Sequence, residues 1–256
     1  MKMGLEGKVV IVTGAASGIG AAIARLLADE GVGGLVLTDR NGAGAQRLAT
    51  SLPTPVAVVQ MDLAETAASE TVAGATLDRF GRIDGLVNAA GLTSRGSIVT
   101  GTLPVWDHLF AVNARAAFFL MQAAIADMRA RHSPGCIVNI LSMNAHCGIP
   151  ELAIYAATKG ALATLTRNAA NAHMADRIRV NGINLGWVAT EAERQMQAED
   201  LGRGPGWLAE SEAAMPLGRL VTAEECARLA VFLLGEASVP MSGAIVDFEQ
   251  KVAGAL

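Results

Sequence analysis

Tyr155, the only tyrosine of the chain, is followed four residues later by Lys159. Residues at positions i and i+4 of a helix share a face, so the phenol and the ammonium are expected to project the same way. A cation beside a phenol favours the phenolate and lowers the pKa of the phenol from its usual value of about 10. The pair therefore predicts a general base that works near neutral pH. Taken alone, the same pair also fits an ordinary contact on a helix surface.

Two further polar residues stand beside or within apolar segments. Ser142 comes directly after the apolar run 136–141. Asn113 lies within the largely apolar helical stretch 105–128, where an amide needs a hydrogen-bond partner. Asn113 is therefore either a satisfied polar residue of the core or part of a polar site.

A glycine-rich turn near the N-terminus predicts a site for a pyrophosphate. The buried-strand pattern Val9-Val10-Ile11-Val12-Thr13 leads into Gly14-Ala15-Ala16-Ser17-Gly18-Ile19-Gly20 and then into a helical pattern. Gly14 permits a tight turn, Gly18 lets backbone amides approach phosphates, and Gly20 lets the helix pack close to the strand. The spacing is G-x-x-x-G-x-G, and a glycine-rich turn without a ligand has the same pattern.

Strand and helix patterns alternate along the rest of the chain. Strands are predicted over 9–13, 35–38, 56–60, 85–88, 136–141, 179–184 and 244–248, and helices over 21–27, 43–52, 66–80, 103–131, 155–174 and 222–234. The last helix opens with the capping-box pattern Thr222…Glu225. Repeated β-then-α units predict one α/β domain over residues 1–256, with a doubly wound parallel sheet and helices on both faces. Ligands of such sheets bind beyond the carboxyl ends of the strands.

Acidic and small residues stand at those strand ends. Asp39 is either a solvated loop acid or a carboxylate that accepts both hydroxyls of an adenosine ribose and repels a 2′-phosphate, which favours NAD over NADP. The neighbouring Arg40 can instead clamp a 2′-phosphate. Asp62 either accepts from an adenine amino group or caps the next helix. The small residues of Asn88-Ala89-Ala90-Gly91 let the backbone pass close to a ribose and a nicotinamide.

Composition argues against several classes of partner. The chain has 256 residues, of which 52% are hydrophobic and 17% charged, enough for a large core. A net charge of -4 without a Lys/Arg cluster disfavours nucleic acid and anionic membranes. No run of about eighteen apolar residues indicates a transmembrane helix, and no apolar signal core precedes the first strand. Cys136, Cys147 and Cys226 show no metal spacing and suggest reduced thiols, so we expect a cytoplasmic protein without a metal site.

Taken together, the motifs resemble the short-chain dehydrogenase/reductase family over nearly the whole chain. They are Thr13-Gly14-Ala15-Ala16-Ser17-Gly18-Ile19-Gly20, Asn88-Ala89-Ala90-Gly91, Asn113, Ser142 and Tyr155-Ala156-Ala157-Thr158-Lys159, in this order. The resemblance implies a Rossmann-type single domain with a nicotinamide cofactor, for which we expect NAD. It also implies a homotetramer in which the helix over 103–131 and the Tyr155 helix pack across a two-fold axis.

The resemblance assigns roles to individual residues. It implies that Tyr155 exchanges the substrate hydroxyl proton and that Ser142 orients the hydroxyl or carbonyl. Lys159 would lower the pKa of Tyr155 and bind the nicotinamide ribose, and Asn113 would hold a water that links Lys159 to solvent. The predicted cofactor-binding residues are Gly14, Ser17, Gly18, Ile19, Gly20, Asp39, Arg40, Asp62, Leu63, Asn88, Ala89, Ala90, Gly91, Tyr155, Lys159, Val188 and Thr190.

Two segments depart from the usual family pattern. After the sixth strand, Leu185-Gly186 replaces Pro-Gly, which frees φ at position 185 and is expected to reshape the loop on the nicotinamide side. Near the C-terminus, Asp247-Phe248-Glu249 replaces Asp-Gly-Gly, where neighbouring subunits of the family often meet.

Substrate contacts are expected in residues 92–97, 143–151 and 187–216. The candidates are Arg95, Asn144, His146, Glu151 and Trp187, and the same stretches hold Thr93, Ser94, Glu191, Glu193 and Trp207. Many hydrogen-bonding groups beside tryptophan favour a sugar, sugar acid or polyol. Arg95 also suits a carboxylate, and solvated loop residues have the same composition.

We therefore predict an NAD-dependent oxidoreductase that interconverts a secondary alcohol and a carbonyl on such a small-molecule substrate. A 3-oxoacyl carrier-protein reductase of the same family is one alternative, but it would prefer NADPH and carry a basic docking patch. A non-catalytic nicotinamide-binding regulator is the other, but it need not keep Ser142, Tyr155 and Lys159 together.

Overall fold

A sheet of seven parallel strands forms the centre of the computed structural model, which describes residues 2–253. The strands are β1 (Val9–Thr13), β2 (Gly34–Asp39), β3 (Val56–Gln60), β4 (Gly85–Asn88), β5 (Gly135–Ile140), β6 (Ile178–Leu185) and β7 (Ile245–Phe248). They lie side by side in the order β3-β2-β1-β4-β5-β6-β7. The order reverses between β1 and β4, and ligands of such sheets bind beyond the strand ends at that point.

Helices connect the strands and cover both faces of the sheet. They are α1 (Gly18–Asp29), α2 (Gly42–Ser51), α3 (Ala68–Phe80), α4 (Leu103–Phe110), α5 (Ala116–Ala130), α6 (Asn144–Cys147), α7 (Ala153–His173), α8 (Glu191–Gln195), α9 (Trp207–Ala213) and α10 (Ala223–Leu234). Short 3-10 turns lie at Pro150–Leu152 and Glu236–Ser238, and π turns at Ala111–Arg115 and Met196–Asp200. The predicted doubly wound α/β fold is confirmed.

Strand β1 shows why the sequence folds in this way. All of its residues are buried, because the strand lies in the middle of the sheet and both of its faces are covered. Side chains alternate between the two faces of a strand. Val10 and Val12 accordingly pack in the core cluster that contains α1 and α10, whereas Ile11 packs in the cluster that contains α3 and α5.

The long helix predicted over 103–131 spans Leu103–Ala130 and contains the π turn Ala111–Arg115. By length and composition it is apolar enough to cross a membrane, but 61% of its most apolar window is buried in the protein. Packing against the sheet therefore accounts for its apolar composition. The π turn places Asn113 on the buried side of the helix, and such turns are frequent at functional sites.

Helix α10 begins as its sequence pattern predicts. The hydroxyl of Thr222 accepts a hydrogen bond from the backbone N–H of Glu225 (3.2 Å), and the Glu225 carboxylate accepts one from the backbone N–H of Thr222 (3.0 Å). This capping box marks the end of the long segment that follows β6. Helices α8 and α9 lie inside that segment and were not predicted, because their helical runs are too short to show a clear period.

Candidate active site

Glycine is required at three positions in the turn after β1. Gly14 (φ 65°) and Gly18 (φ 53°) adopt the left-handed conformation that other residues rarely adopt. A Cβ on Gly14 would lie 2.8 Å from the Cα of Ala90, so the turn passes directly beside the end of β4. A Cβ on Gly20 would overlap the carbonyl oxygen of Gly14, so only glycine lets α1 start this close to β1.

The N-terminus of α1 offers free backbone donors at the carboxyl edge of the sheet. Ser17 is the N-cap residue, but its side chain makes no capping hydrogen bond, and the first turn carries no acidic residue. The first amides of a helix have no partner within the helix, and the helix dipole makes this end positive. The turn and the helix end therefore fit the pyrophosphate of a dinucleotide.

A cleft of about 280 Å³ opens beside this turn. Of the residues predicted to bind the cofactor, it is lined by Gly14, Ser17, Gly18, Ile19, Gly20, Asp39, Arg40, Asp62, Leu63, Ala89, Ala90, Gly91 and Thr190. Its lining also includes Leu92 and Ala192, which lie in stretches predicted to contact the substrate, and Met61, His108 and Val112, which sequence reasoning missed. Met61 adjoins a predicted strand end and was within reach of that reasoning, whereas no local signal in α4 marks His108.

Asp39 ties the end of β2 to the glycine turn. One carboxylate oxygen accepts from the backbone N–H of Ala16 (3.0 Å) and the other from that of Asn41 (2.9 Å). The side chain is half-buried and lines the cleft together with Arg40. Each oxygen still has a free lone pair, so the carboxylate can also accept from a ribose hydroxyl.

Asp62 lines the cleft at the end of β3 and does not cap a helix. Its Oδ1 accepts from the backbone N–H of Ala64 (2.8 Å), and α3 begins only at Ala68 with Ala67 as its N-cap residue. Of the two interpretations of Asp62, the helix cap is therefore wrong.

Asn88 and Val188, like Tyr155 and Lys159, are not among the residues that line this cleft, and their contact with a cofactor stays a prediction. The amide of Asn88 is buried and donates to Oδ1 of Asn139 on β5 (2.8 Å). Val188 is buried and pairs with Val221 in an isolated bridge. Both side chains are used within the core.

Sequence reasoning missed the role of Thr13. Its hydroxyl accepts hydrogen bonds from the backbone N–H groups of Ala89 and Ala90 (3.0 Å each) and fixes the end of β4 beside the cleft.

Strand β5 and helix α7 bring three predicted catalytic side chains together. Ser142, Tyr155 and Lys159 are all buried at the carboxyl edge of the sheet. The Lys159 Nζ donates to the carbonyl oxygen of Ile140 (2.9 Å) and lies 5.8 Å from the centroid of the Tyr155 ring. A Cβ on Gly91 would lie 3.3 Å from this Nζ, so the ammonium borders the cofactor cleft.

Burial determines the pKa of both groups in this pair. Burial raises the pKa of Tyr155 above its ordinary value of 10.0, while a hydrogen bond with Ser142 opposes the rise and the charge of Glu193 adds to it. Burial also lowers the pKa of Lys159 to about 8. The predicted fall in the pKa of Tyr155 is therefore wrong for this structure, because desolvation disfavours the charged forms of both groups. At neutral pH the phenol keeps its proton.

Asn113 clamps the backbone that follows β4. Its Oδ1 accepts from the backbone N–H of Leu92 (2.8 Å), and its Nδ2 donates to the carbonyl oxygen of Leu92 (2.9 Å) and to the hydroxyl of Thr158 (3.1 Å). The side-chain amide is thus satisfied by protein partners. The water-holding role of Asn113 stays a prediction.

Two of the predicted substrate residues lie in segments that adjoin the catalytic groups. The Nδ2 of Asn144 donates to the Ser142 hydroxyl (3.3 Å) and therefore helps to orient it. The indole of Trp187 stacks on Trp207 with a centroid distance of 5.7 Å and donates from Nε1 to Glu193 (2.8 Å). Trp187 consequently helps to shape the segment over 187–216.

The other predicted substrate residues are placed differently. The Nε2 of His146 lies 2.9 and 3.0 Å from the two carboxylate oxygens of Asp247, which also accepts from Asn184. Burial pushes the pKa of Asp247 upward, but the hydrogen bonds with His146 and Asn184 hold it below its ordinary value. His146 therefore joins α6 to β7, and its predicted contact with a substrate stays a prediction. Arg95 and Glu151 are exposed.

Glu249 connects the two segments in which the sequence departs from the family it resembles. Its Oε2 accepts from the backbone N–H of Trp187 (3.1 Å), directly after β6. A Cβ on Gly186 would overlap this carboxylate. Phe248 lies opposite Leu185 in the β6–β7 register. The carboxylate thus holds the loop that follows Leu185.

Comparison with known proteins agrees with this geometry. Residues 14–249 match the family model described as enoyl-(acyl carrier protein) reductase. The 2-(S)-hydroxypropyl-CoM dehydrogenase 3 of Xanthobacter autotrophicus is 36% identical over 244 residues, which are 94% of either chain. The chain belongs to the short-chain dehydrogenase/reductase family. The sorbitol dehydrogenase of Cereibacter sphaeroides is 34% identical over 90% of this short-chain dehydrogenase/reductase and 91% of its own length.

A solved structure extends this comparison to three dimensions. The L-sorbose reductase of Gluconobacter frateurii, complexed with NADPH and L-sorbose, superposes with a TM-score of 0.92 at 31% identity, covering 100% of both chains. The protein is therefore an oxidoreductase that acts on CH–OH groups and binds a nicotinamide cofactor.

Proposed function

We propose that this short-chain dehydrogenase/reductase uses NAD to interconvert a secondary alcohol and a carbonyl on a sugar, sugar acid or polyol. The observation that carries the proposal is the grouping of Ser142, Tyr155 and Lys159 beside the cofactor cleft. Relatives named for sorbitol and L-sorbose support the substrate class.

Tyr155 carries the proton in the proposed reaction, and Ser142 orients the substrate. Both hydroxyls hold the substrate oxygen, and Asn144 orients the Ser142 hydroxyl. In reduction, the buried phenol holds a proton at neutral pH and donates it to the developing alkoxide. In oxidation, Tyr155 must lose that proton first, so we expect the oxidation rate to rise into the alkaline range. The nicotinamide, when bound, supplies the hydride acceptor or donor.

Lys159 and Asp39 are the proposed contacts to the two riboses of the cofactor. The Lys159 ammonium borders the cleft at Gly91, where it can donate to the nicotinamide ribose. Asp39 lines the cleft near the glycine turn, where its carboxylate accepts from the adenosine ribose and repels a 2′-phosphate. The charge of Asp39 is the basis for proposing NAD.

The variant Tyr155→Phe tests the proposed reaction, because it removes only the phenolic oxygen. We expect turnover to fall by about 10²- to 10⁴-fold, the usual contribution of a general acid–base group, with the Kd for NAD unchanged within about threefold. Substrates are screened by NAD reduction or NADH oxidation on polyols, aldoses, sugar acids, apolar alcohols and an acetoacetyl thioester. Turnover confined to the apolar alcohols or the thioester contradicts the proposed substrate class, and an active Tyr155→Phe variant contradicts the mechanism.

We also propose that the enzyme forms a homotetramer in the cytoplasm. Trp106 is 45% exposed on α4, and Phe118 and Phe119 are 40% and 45% exposed on α5, beside Leu165 of α7. An exposed apolar surface of this kind is typical of a contact between proteins and supports self-association. The three cysteines are free thiols, in keeping with a reducing compartment. Sedimentation velocity should show a tetramer that Phe118→Glu dissociates, whereas a monomeric wild type contradicts the assembly.

A further inference from the structure

The segment over residues 187–216, here called the substrate loop, is held in a defined shape by its own side chains. The stacked rings of Trp187 and Trp207 form its centre, and the guanidinium of Arg203 lies 5.8 Å from both ring centroids. Arg203 also donates to Gln197 (3.2 Å) and to Ser211 (3.4 Å). These contacts hold the Arg203 side chain within the loop.

The substrate loop reaches from the glycine turn to the segment after β4. At one end, Thr190 lines the cofactor cleft, and its methyl group would lie 3.2 Å from a Cβ on Gly18. Further along, the Sδ of Met196 lies 3.7 Å from the hydroxyl of Thr93. Residues between Thr190 and Met196 therefore connect the glycine turn of the cofactor cleft with the segment after β4.

Glu193 lies between these two contacts and is itself fixed. Its backbone N–H donates to the Thr190 hydroxyl (3.2 Å), and its Oε1 accepts from Trp187 Nε1 and Gln197 Nε2 (2.8 Å each). Within residues 2–253, no side chain or backbone group donates to its other oxygen, Oε2. The carboxylate also acts on the catalytic phenol, since its charge contributes to the raised pKa of Tyr155.

We infer that Glu193 determines substrate specificity by placing a negative charge at the wall of the substrate pocket. Its Oε2 accepts a hydrogen bond from a hydroxyl of the substrate, and its charge repels a substrate that carries a carboxylate or phosphate. The inference rests on the proposed function and narrows it: neutral polyols and sugars are substrates, and sugar acids are not.

The variant Glu193→Gln tests this inference, because the amide keeps the shape and one acceptor oxygen but loses the charge. The matched substrates are xylitol and xylonate, a neutral polyol and a sugar acid with the same number of carbons. We expect the wild type to favour xylitol in kcat/KM by at least tenfold and the variant to reduce that ratio by at least tenfold, mainly through KM. Glu199→Gln, which removes an exposed charge of the same loop, should leave the ratio within about twofold. An unchanged ratio in Glu193→Gln, or an equal change in Glu199→Gln, overturns the inference.

A second measurement tests whether the Glu193 charge lies near Tyr155, and it does not depend on enzyme activity. Because the chain has one tyrosine, protein labelled with ¹³C-tyrosine gives a single Cζ resonance that reports the ionisation of Tyr155. Glu193→Gln should shift the titration midpoint of this resonance to lower pH, and Glu199→Gln should not. An unshifted midpoint overturns the inference even if the enzyme is active. The two tests can also disagree. If the wild type turns over no polyol or sugar but Glu193→Gln shifts the titration midpoint of Tyr155, the proposed substrate class is wrong, whereas the placement of the Glu193 charge near Tyr155 is supported.

Discussion

Replacing Asp39 by asparagine should relax the preference of the enzyme for NAD over NADP. A carboxylate and a phosphate oxygen about 4 Å apart repel each other by about 4 kcal/mol at an effective dielectric near 20, and by about 1 kcal/mol in bulk water. Asp39 is half-buried, so a value near 2 kcal/mol is reasonable. At about 1.4 kcal/mol per tenfold, the ratio of kcat/KM for NAD to that for NADP should fall about 30-fold.

The hydrogen bonds of Asp39 decide which substitution is informative. Its two oxygens accept hydrogen bonds from the backbone N–H groups of Ala16 and Asn41. Asp39→Ala should therefore also loosen the glycine turn and weaken the binding of both NAD and NADP. Asparagine keeps one acceptor oxygen and removes the charge. Asp29→Asn is the matched control, because Asp29 is exposed on α1 and does not line the cleft.

Steady-state kinetics with both cofactors at low and high ionic strength provides the assay. Salt screens exposed charges, so the preference of the wild type should weaken as ionic strength rises. A wild type that already favours NADP refutes the reasoning. So does an Asp39→Asn variant whose ratio stays within about twofold of wild type, or an Asp29→Asn variant with the same change.

Variants at three further positions test other contacts. Gly20→Ala should lower the free energy of unfolding by about 1–3 kcal/mol, as measured by thermal denaturation, because the added Cβ overlaps a backbone carbonyl. It should also raise the Kd for NAD at least about tenfold, and a normal NAD affinity would contradict this. Glu249→Ala should raise the KM for the alcohol severalfold with little change in kcat, because the backbone N–H of Trp187 loses its acceptor. Glu249→Gln keeps an acceptor oxygen and should bring the KM back towards the wild-type value. Equal kinetics for the two variants would show that this hydrogen bond does not set the KM. Hydrogen bonds from Arg219 and from the Thr222 backbone lower the pKa of Glu225 from 4.5 to about 2. The Glu225 carboxylate should therefore stabilise the folded protein fully above pH 4.5, and this stabilisation should disappear as the pH falls towards 2. Urea midpoints of wild type and Glu225→Gln should therefore differ at pH 7 and converge near pH 2, and a constant difference would contradict this origin.

Sequence reasoning succeeded where the deciding forces act between neighbouring residues. The strand, glycine turn and helix near Gly14 were predictable because positive φ angles and side-chain periodicity are local properties. The capping box at Thr222 was predictable for the same reason. Parallel strand ends must meet at one edge, so the cleft beside Asp39 could also be located.

Only the tertiary structure decided which side chains are dehydrated and which distant groups meet. The pKa of Tyr155 rises, against expectation, because elements far apart in the chain bury it. Asn88 faces Asn139 inside the sheet, and Glu249 reaches the backbone of Trp187, through pairings of distant segments. Glu193 acts on the catalytic phenol for the same reason. Spacing along one chain specifies neighbours along a helix or strand, whereas burial and charge at a site are set by every element packed around it.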